Sequence, residues 1–348
     1  MSLRQPALAQ AVALLFACVQ ASLAAPAADA PTVSNAAIRT ITHEQIEARY
    51  ADAQSRFVVI DEARLHYKDE GRGSPILLIH GSLGDLADWD GWVTVLSKRH
   101  RVVRLDLPGF GLSGEIANGN YSIDRSLSLI DGLMDSLGIE RFAIAGVSYG
   151  GPIAFRYAAT RVERVAVLII MNSAGIEAGK QKVDANTGGK EFFIKMTSGA
   201  SLTKEYIAGA LAHAFNNPAR IPPGLVERKL EIANVIGRDR EGAIMIGQYV
   251  RGDPQRVLAH VRAPTLVLWG AAERSLSLGT ADLFVAALKN ARVVRKVMQD
   301  KGDHSMHIEW PESTAQQALR FLDSRQRKGD YGDPVRPAAA SRRRSCNE

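Results

Sequence analysis

The residues best placed to do chemistry lie around Ser148, in the pentapeptide Gly146-Val147-Ser148-Tyr149-Gly150. The pentapeptide follows an apolar run and precedes a helical pattern, and a serine on such a strand-to-helix turn is exposed as a nucleophile. Gly146 and Gly150 lack a Cβ atom, so the strand and the helix can approach closely. The helix start offers unpaired backbone N–H groups, which favour negative charge nearby. The pattern predicts a serine nucleophile, and the alternative is a glycine-rich turn with an incidental serine.

A parallel sheet covered by helices is the arrangement that the rest of the pattern predicts. Continuous apolar runs are expected of strands buried on both faces, and here helical patterns alternate with them, as in α/β proteins. The first two predicted strands form an antiparallel pair. The eight predicted strands cover residues 57–60, 63–67, 75–79, 102–105, 142–145, 165–170, 265–268 and 293–297. The helical patterns between them cover residues 92–98, 123–137, 149–159, 280–288 and 313–322.

One long segment interrupts this alternation. Residues 174–258 contain no strand-like apolar run, and the pattern predicts helices at 191–197, 204–214, 225–235 and 241–249. An insertion after the sixth strand would lie over the carboxyl ends of the strands, where open α/β sheets bind ligands. The sequence therefore predicts a helical cap over residues 174–258, between core segments at 51–173 and 259–325.

Four short motifs follow one another along the chain. The first is LLIHGSLG at 77–84, with Trp89 beyond it, and the second is DLPGFGLS at 106–113. The third is the pentapeptide around Ser148, and the fourth is His304 followed by EWPE at 309–312. In this order they resemble the oxyanion loop, the D-x-P-G-x-G-x-S turn, the nucleophile turn and the catalytic-histidine segment of the α/β-hydrolase family.

The resemblance to the α/β-hydrolase family covers about residues 57–325 of the chain. It implies the α/β-hydrolase fold, with a mostly parallel eight-stranded sheet flanked by helices and a helical cap inserted after strand 6. It also implies the chain order serine, acid, histidine for a catalytic triad. The base should therefore lie beyond the last strand, within reach of the serine.

Three histidines compete for the role of base. His304 has the spacing to the E-x-P-E element that the family's catalytic histidine has, whereas the spacing of His307 is wrong. His80 belongs to the H-G loop, where a packed, hydrogen-bonded structural residue is favoured over a proton carrier. We therefore expect His304 Nε2 to lie near the hydroxyl of Ser148.

The acid is where the chain departs from the family pattern. The family usually has W-G-x-x-D after the seventh strand, and this chain has glutamate at that position, Glu273. Glutamate is an accepted triad acid on this fold, although its extra methylene requires the loop to retract slightly. The alternative acid position after the sixth strand has Asn172 and Ser173 instead, and the side chain of Asp303 should point elsewhere. The competing interpretation of Glu273 is a surface residue paired with Arg274, with a weakened or absent triad.

These assignments predict a serine hydrolase that forms an acyl-enzyme on Ser148. His304 would remove the serine proton, Glu273 would orient the imidazole, and the backbone N–H groups of Ser82 and Tyr149 would bind the oxyanion. No cofactor and no metal are implied. Serine at the nucleophile position argues against the epoxide-hydrolase and haloalkane-dehalogenase branches, which use aspartate.

Hydrolysis of a small to medium carboxylic ester is the predicted function. The alternatives are hydrolysis of a carbon–carbon bond in diketone-like substrates and cofactor-free perhydrolysis or acyl transfer. A catalytically weakened binding protein on the same fold is the non-enzyme alternative. Substrate-binding residues are not identified by the sequence: Lys195, Lys204 and Arg228 in the cap are candidates for binding a substrate carboxylate, but solvated surface charges are the favoured interpretation.

Charge and cysteine usage limit the choice of partners. The net charge of the 348 residues is +6, and seven basic and three acidic residues between 324 and 348 supply +4 of it. The nearly neutral remainder argues against nucleic acid as a partner and leaves a small-molecule substrate. Residues 326–348 are rich in Pro, Gly, Ala, Ser and Arg and are predicted to be a disordered basic tail. The two cysteines, Cys18 and Cys346, predict neither a disulfide nor a zinc site.

The N-terminus has the pattern of a secretory signal. Arg4 precedes an uncharged apolar stretch, small residues follow at Ala24 and Ala25, and the stretch is too short for a membrane span. We therefore expect a signal peptide at 1–25, an Ala/Pro-rich linker at 26–50, and a periplasmic or secreted protein without an integral membrane span. The alternative is a lipoprotein anchored through Cys18, since Leu15-Phe16-Ala17-Cys18 resembles a lipobox.

Overall fold

A single eight-stranded sheet organises the described part of the chain. The computed structural model describes residues 41–176, 201–248 and 252–331. The strands are β1 (Arg56–Ile60), β2 (Ala63–Glu70), β3 (Ser74–Ile79), β4 (His100–Leu105), β5 (Phe142–Ser148), β6 (Val165–Ser173), β7 (Thr265–Gly270) and β8 (Val294–Gln299). Their spatial order is β1-β2-β4-β3-β5-β6-β7-β8, in which β1, β2 and β4 pair antiparallel and all later pairs are parallel. The strand number and pairing agree with the sequence prediction.

The central strands are buried because both faces of the sheet are covered. Side chains alternate along a strand, so that Leu77 and Ile79 of β3 pack into one apolar cluster and Ile76 and Leu78 into the other. All nine residues of β6 are buried. The continuous apolar runs of the sequence are the direct consequence of this two-sided burial.

Strand β8 is the exception, and the prediction that it is buried on both faces is wrong. It pairs only with β7 and forms one edge of the sheet. Arg295, Lys296 and Met298 are exposed on it, whereas Val294 and Val297 are half-buried. Charged side chains on an exposed edge strand disfavour pairing with another chain.

Helices cover both faces of the sheet and fill the connection between β6 and β7. They are α1 (His43–Tyr50), α2 (Asp90–Leu96), α3 (Ile123–Ser136), α4 (Gly150–Thr160), α5 (Lys204–Ala214), α6 (Leu225–Ala233), α7 (Arg238–Gln248), α8 (Pro254–Leu258), α9 (Thr280–Ala287), α10 (Met306–Glu309) and α11 (Pro311–Gln326). Of the helices in the described ranges, none is both long enough and apolar enough to span a bilayer.

In its described residues, the connection between β6 and β7 consists of helices joined by loops. It contains α5 to α8 and a 3₁₀ turn at Pro218–Arg220, and contributes no strand to the sheet. The helix predicted at 191–197 lies outside the described residues. The helix predicted at 241–249 begins earlier, at Arg238. We refer to the described residues of this connection, 201–248 and 252–258, as the cap.

Two predicted boundaries differ from the structure. Part of the predicted linker is helix α1, where Thr42 Oγ1 accepts the N–H of Gln45 and Gln45 Oε1 accepts the N–H of Thr42, a capping box that stabilises the first turn. Ile46 of α1 is buried, and Tyr50 Oη donates to Glu231 Oε2 at 2.7 Å.

At the other end of the chain, α11 continues to Gln326, and structure is described as far as Tyr331, whose ring lies 6.5 Å from that of His100. The predicted tail therefore begins too early. Beyond the apolar run that the sequence pattern identified, Asp323 of α11 pairs with Arg99 at 2.6 Å. The predicted signal peptide, Cys18, Cys346 and the remainder of the tail lie outside the described residues.

Candidate active site

Ser148 lies at the carboxyl end of β5, in the sharp turn that begins α4. Its φ of +50° is in the left-handed region, a strained conformation for a residue with a side chain. The turn requires glycine at position 146, because a Cβ atom there would lie 2.2 Å from the carbonyl oxygen of Gly150. The strained turn directs the serine hydroxyl out of the sheet edge, as the sequence pattern predicts.

Ser148, His304 and Glu273 form one continuous chain of hydrogen bonds. His304 Nε2 lies 3.0 Å from Ser148 Oγ, and His304 Nδ1 lies 2.9 Å from Glu273 Oε2. A carboxylate can only accept, so Nδ1 carries the proton and Nε2 is left to accept the serine hydroxyl proton. Both contacts expected from the sequence are present, and Glu273 does not pair with Arg274.

The loop after β7 fixes the carboxylate of Glu273. Its side chain is fully buried, and its second oxygen, Oε1, accepts the backbone N–H groups of Ser275 at 2.6 Å and Leu276 at 3.0 Å. Each carboxylate oxygen therefore has its own donors. The loop thus accommodates a glutamate where the family usually has aspartate, while the carboxylate stays at hydrogen-bond distance from His304.

The electrostatic surroundings of His304 favour its protonated form. The side chain is only 19% exposed, and burial by itself lowers the pKa. The adjacent Glu273 carboxylate outweighs this through its charge and its hydrogen bond, and Asp303 adds to the effect, so the pKa of His304 is raised above its ordinary value. A raised pKa makes the imidazole a stronger base for the serine proton.

The other two histidines have different surroundings. His307 on α10 is 4% exposed, with its ring centroid 4.9 Å from that of Trp89. Burial and the neighbouring His304, Lys229 and His80 lower the pKa of His307 to about 3, so it is neutral near pH 7.

His80 joins two of the sequence motifs. Its Nε2 accepts the N–H of Leu107 at 3.0 Å, so the ring proton is on Nδ1, which donates to the carbonyl oxygen of Gly81 at 2.8 Å. Both ring nitrogens are therefore used for hydrogen bonds to the backbone of two loops. This is the structural role that the sequence favoured for His80.

The two residues predicted to bind an oxyanion lie in different segments. A Cβ atom at Gly81 would lie 3.0 Å from Ser148 Cβ, so the loop passes beside the nucleophile at the residue before Ser82. Tyr149 follows the nucleophile in right-handed helical conformation, with φ −59° and ψ −32°, at the start of α4. The structure therefore brings the H-G loop and the start of α4 together at Ser148.

Asn172 has a structural role that the sequence did not predict, since it was noted only for lacking a carboxylate. At the end of β6, its Nδ2 donates to the carbonyl oxygens of Asp303 at 2.9 Å and His304 at 3.1 Å, and its Oδ1 accepts the N–H of Gly270. It is fully buried and joins the loops that carry the acid and the base. The available signal was a polar side chain in an otherwise apolar run.

A buried group of charges joins the cap to the loop after β3. Arg228 and Lys229 on α6 pair with Asp85, and Lys229 Nζ also donates to Asp88 Oδ1 at 2.6 Å. Burial opposes ionisation of both acids. The two cations outweigh burial at Asp85 and place its pKa well below the usual range, whereas at Asp88 burial and the charge of Asp85 raise the pKa.

Two of the candidate carboxylate-binding residues of the cap are thus already paired. The interpretation of Arg228 as a solvated surface charge is wrong, because its side chain is mostly buried against Asp85. Lys204 is exposed and pairs with Glu227 at 2.6 Å. Lys195 lies outside the described residues.

Substitution of Lys229 tests whether this charge group attaches the cap. K229M should lower the free energy of unfolding by roughly 3–5 kcal/mol, because it leaves the buried Asp88 without its cation and Asp85 with Arg228 alone. Urea denaturation followed by circular dichroism measures the change. The matched control is K204M, which removes an exposed ion pair of the same cap and should leave the unfolding free energy close to that of the wild type. Equal stability of the two variants would contradict the prediction.

A second Ser–His–Asp chain involves His66 of β2 and Asp106, which follows β4. His66 Nδ1 is 2.7 Å from Asp106 Oδ2, and His66 Nε2 is 2.9 Å from Ser55 Oγ. Ser55 has no strained backbone, and its hydroxyl also accepts the N–H of Asp52 beside that residue's carboxylate, which would repel an oxyanion. Among the described residues, the contacts of a triad therefore occur at Ser148 and at Ser55, and of these two serines Ser148 alone combines them with a strained turn at a helix start.

The comparisons with known proteins show the family and the fold. A family model for the alpha/beta hydrolase fold matches residues 74–311. The 2-hydroxy-6-oxononadienedioate/2-hydroxy-6-oxononatrienedioate hydrolase of Paraburkholderia phymatum is 28% identical over 276 residues, which are 72% of this chain and 88% of that protein. The 2-hydroxymuconate semialdehyde hydrolase of Pseudomonas sp. is 36% identical over 124 residues, 35% of this chain and only 44% of that protein.

Among solved structures, a membrane phospholipase A described as a bacterial virulence factor superposes with a TM-score of 0.69 at 24% identity, covering 91% of this chain and 98% of that one. This likeness shows the fold. The chain belongs to the α/β-hydrolase fold family, and it is a hydrolase. The family and fold predicted from the four motifs are confirmed.

Proposed function

We propose that the chain is a serine hydrolase that forms an acyl-enzyme on Ser148. The observation that carries this proposal is the chain Ser148–His304–Glu273, with contacts of 3.0 and 2.9 Å, on a strained turn at a helix start. A nucleophile, a base and a group that orients the base are the parts that acyl transfer to serine requires.

In the first half-reaction, Ser148 Oγ attacks a substrate carbonyl carbon while His304 Nε2 takes the hydroxyl proton. Glu273 stabilises the resulting imidazolium through Nδ1. The backbone N–H groups of Ser82 and Tyr149 are the proposed donors to the oxyanion, and one such donor typically contributes about 3–4 kcal/mol to the barrier reduction. His304 then gives its proton to the leaving group, and water, deprotonated by the same imidazole, releases the acid and restores the serine.

The first candidate for the bond that is cleaved is a carbon–carbon bond, with a carbon leaving group. The relative from Paraburkholderia phymatum, of which the match covers 88%, is named as a hydrolase of 2-hydroxy-6-oxononadienedioate. In such a reaction the leaving group is a resonance-stabilised carbanion, which needs a proton as the bond breaks. The imidazolium of His304, formed when Ser148 attacks, would supply that proton.

Ester hydrolysis, the function predicted from the sequence, is the second candidate, and one observation favours it. A dienedioate carries carboxylates, and the cap cations of the described residues that were considered for binding one, Arg228 and Lys204, are paired with Asp85 and Glu227. A neutral ester needs no such cation. The same triad and oxyanion donors would cleave it.

A matched pair of substrates separates the two candidates. One is a 2-hydroxy-6-oxo-2,4-dienoate, the substrate class named for relatives of this chain, whose keto tautomer is an unsaturated 1,5-diketone that conjugates the released carbanion. The other is the ester in which oxygen replaces the carbon on the leaving-group side of the scissile bond. Carbon–carbon hydrolysis predicts that kcat/KM for the diketone exceeds kcat/KM for the matched ester and for simple esters with acyl groups from acetyl to dodecanoyl. Turnover of esters alone would replace the first candidate by the second. Absence of turnover on both, with no labelling of Ser148 by a fluorophosphonate, would reject the serine hydrolase itself.

A further inference from the structure

The residues next to the acid and the base form an ion pair of their own. Arg274 follows Glu273 and Asp303 precedes His304, so two pairs lie side by side between the same two loops. Arg274 Nε donates to Asp303 Oδ2 at 2.6 Å, and the backbone N–H of Arg274 donates to Asp303 Oδ1 at 3.1 Å. Asp303 Oδ1 also accepts the backbone N–H of His304 at 2.8 Å, and the Asp303 side chain is fully buried. One buried carboxylate therefore fixes the backbone on both sides of the triad contact.

Arg274 also reaches the cap. Its Nη2 donates to the carbonyl oxygens of His213 and Phe215, both at 2.8 Å, at the carboxyl end of α5. A cation is favoured there because the last carbonyls of a helix have no partner within the helix and carry partial negative charge. The backbone N–H of Ser305, directly after the base, donates to the carbonyl oxygen of Ala214 at 2.8 Å. The end of α5 therefore contacts both loops of the triad.

We propose that Arg274 is a positioning residue, which fixes the loop of His304 against that of Glu273 and couples both to the end of cap helix α5. The inference rests on the proposed function, since it assumes that His304 acts as the base. Arg274 touches none of the reacting atoms. It acts through Asp303, whose carboxylate would otherwise be buried beside His304 with only backbone donors.

Removal of the Arg274 charge should change the pH dependence of kcat/KM. The titratable and charged groups on the elements around this part of the site are Glu273, Arg274, Asp303, His213, His307, His80 and Lys229. Of these, Glu273 and Asp303 act directly on the pKa of His304. Glu273 and Asp303 favour the imidazolium, and Arg274 neutralises Asp303. Removal of the cation should stabilise the imidazolium further, so the pKa of His304 should rise. Because the base must be neutral to act, the acidic limb of kcat/KM should move to higher pH.

The experiment compares R274A and R274K with the wild type on the better substrate of the matched pair. R274A should lower kcat by roughly tenfold to a hundredfold, as expected when a reacting group is misplaced, with a smaller change in KM. Its acidic limb should move up by about half a pH unit, since a neighbouring charge changes the pKa in this way. R274K keeps the charge, so its acidic limb should return to the pH of the wild type, while kcat should recover only in part.

The matched control is R220A. Arg220 also binds the cap to the segment after the base, through the carbonyl oxygen of Glu309 at 2.9–3.0 Å and the ring of Trp310, but it does not contact Asp303. R220A should leave the acidic limb of kcat/KM at the pH of the wild type. An equal shift in R220A, or an R274A variant with wild-type kcat and limb, overturns the proposal. The proposed function stands in both cases if wild-type Ser148 is labelled by a fluorophosphonate, and absence of that labelling rejects both.

Discussion

Replacement of Ser148 by alanine should abolish labelling by a fluorophosphonate probe and reduce kcat by roughly 10⁴- to 10⁶-fold, the range expected when the nucleophile of a triad is removed. The alternative, an incidental serine in a glycine-rich turn, predicts no such loss. Thermal stability should change little, because only a hydroxyl is removed and alanine keeps the Cβ atom, so the cost of a φ of +50° is the same in both proteins. Probe labelling, steady-state kinetics and a thermal melt measure the three quantities.

The chain itself provides the matched control for that experiment. Ser55 makes the same type of contact with His66, at 2.9 Å, that Ser148 makes with His304 at 3.0 Å. S55A should keep full labelling and full activity, because Ser55 lacks the strained turn and lies beside the carboxylate of Asp52. Mass spectrometry of the labelled peptide identifies the modified serine directly. A label on Ser55, or labelling that persists in S148A, would show that the nucleophile has been assigned to the wrong residue.

Most of the sheet could be predicted because its strands are buried on both faces. A strand such as β6, in which every residue is buried, has a continuous apolar run, which can be identified without knowing the neighbouring strands. The burial of the edge strand β8 could not be predicted in this way. Its short run of valines resembles a central strand, but whether a strand lies at the centre or the edge depends on which strands pair beside it, and the local sequence does not contain that information.

The short helix α1 was missed for a related reason. Its eight residues are mostly polar, and only Ile46 is buried. Helices of this length are marginal in isolation, so α1 depends on contacts with other parts of the chain. Arg49 and Tyr50 both contact Glu231 in the cap, more than 180 positions away. Neither an apolar stripe nor local spacing signals such a contact.

In the candidate site too, residues in local motifs could be predicted and contacts between distant segments could not. Ser148 and His304 lie in motifs whose spacing is local, and both could be located from the sequence. Arg228 could not be interpreted, because its bidentate partner, Asp85, lies 143 residues away, directly after the motif at 77–84. The pairing of Arg274 with Asp303 was equally hidden, although each is the immediate neighbour of a predicted triad residue. Ion pairs between distant segments leave no periodic pattern, so they become visible only when the fold brings the segments together.

Glu273 is the member of the proposed triad that departs from the family pattern, and E273Q should reduce kcat by about 10⁴-fold while keeping the fold, as acid-to-amide changes do in serine proteases. The surroundings of the carboxylate explain why the amide cannot substitute. Oε1 accepts two backbone N–H groups, from Ser275 and Leu276, so an NH₂ group cannot occupy that position. The amide must place its oxygen there and direct its NH₂ group at His304 Nδ1. The imidazole then carries its proton on Nε2 and cannot accept the proton of Ser148.

Two further measurements distinguish this explanation from a general loss of structure. E273D keeps a carboxylate and should recover part of the lost rate, because an acceptor at Nδ1 restores the productive tautomer even if the shorter side chain lengthens the contact. E273Q should also move the acidic limb of its residual kcat/KM to lower pH, since the charge and hydrogen bond of Glu273 raise the pKa of His304 against the opposing effect of burial. A variant that is merely misfolded would show neither the recovery nor the shift. If E273Q stays within a few-fold of the wild type while H304A is inactive, another group orients the imidazole, and the only acid then left beside His304 among the described residues that raise its pKa is Asp303.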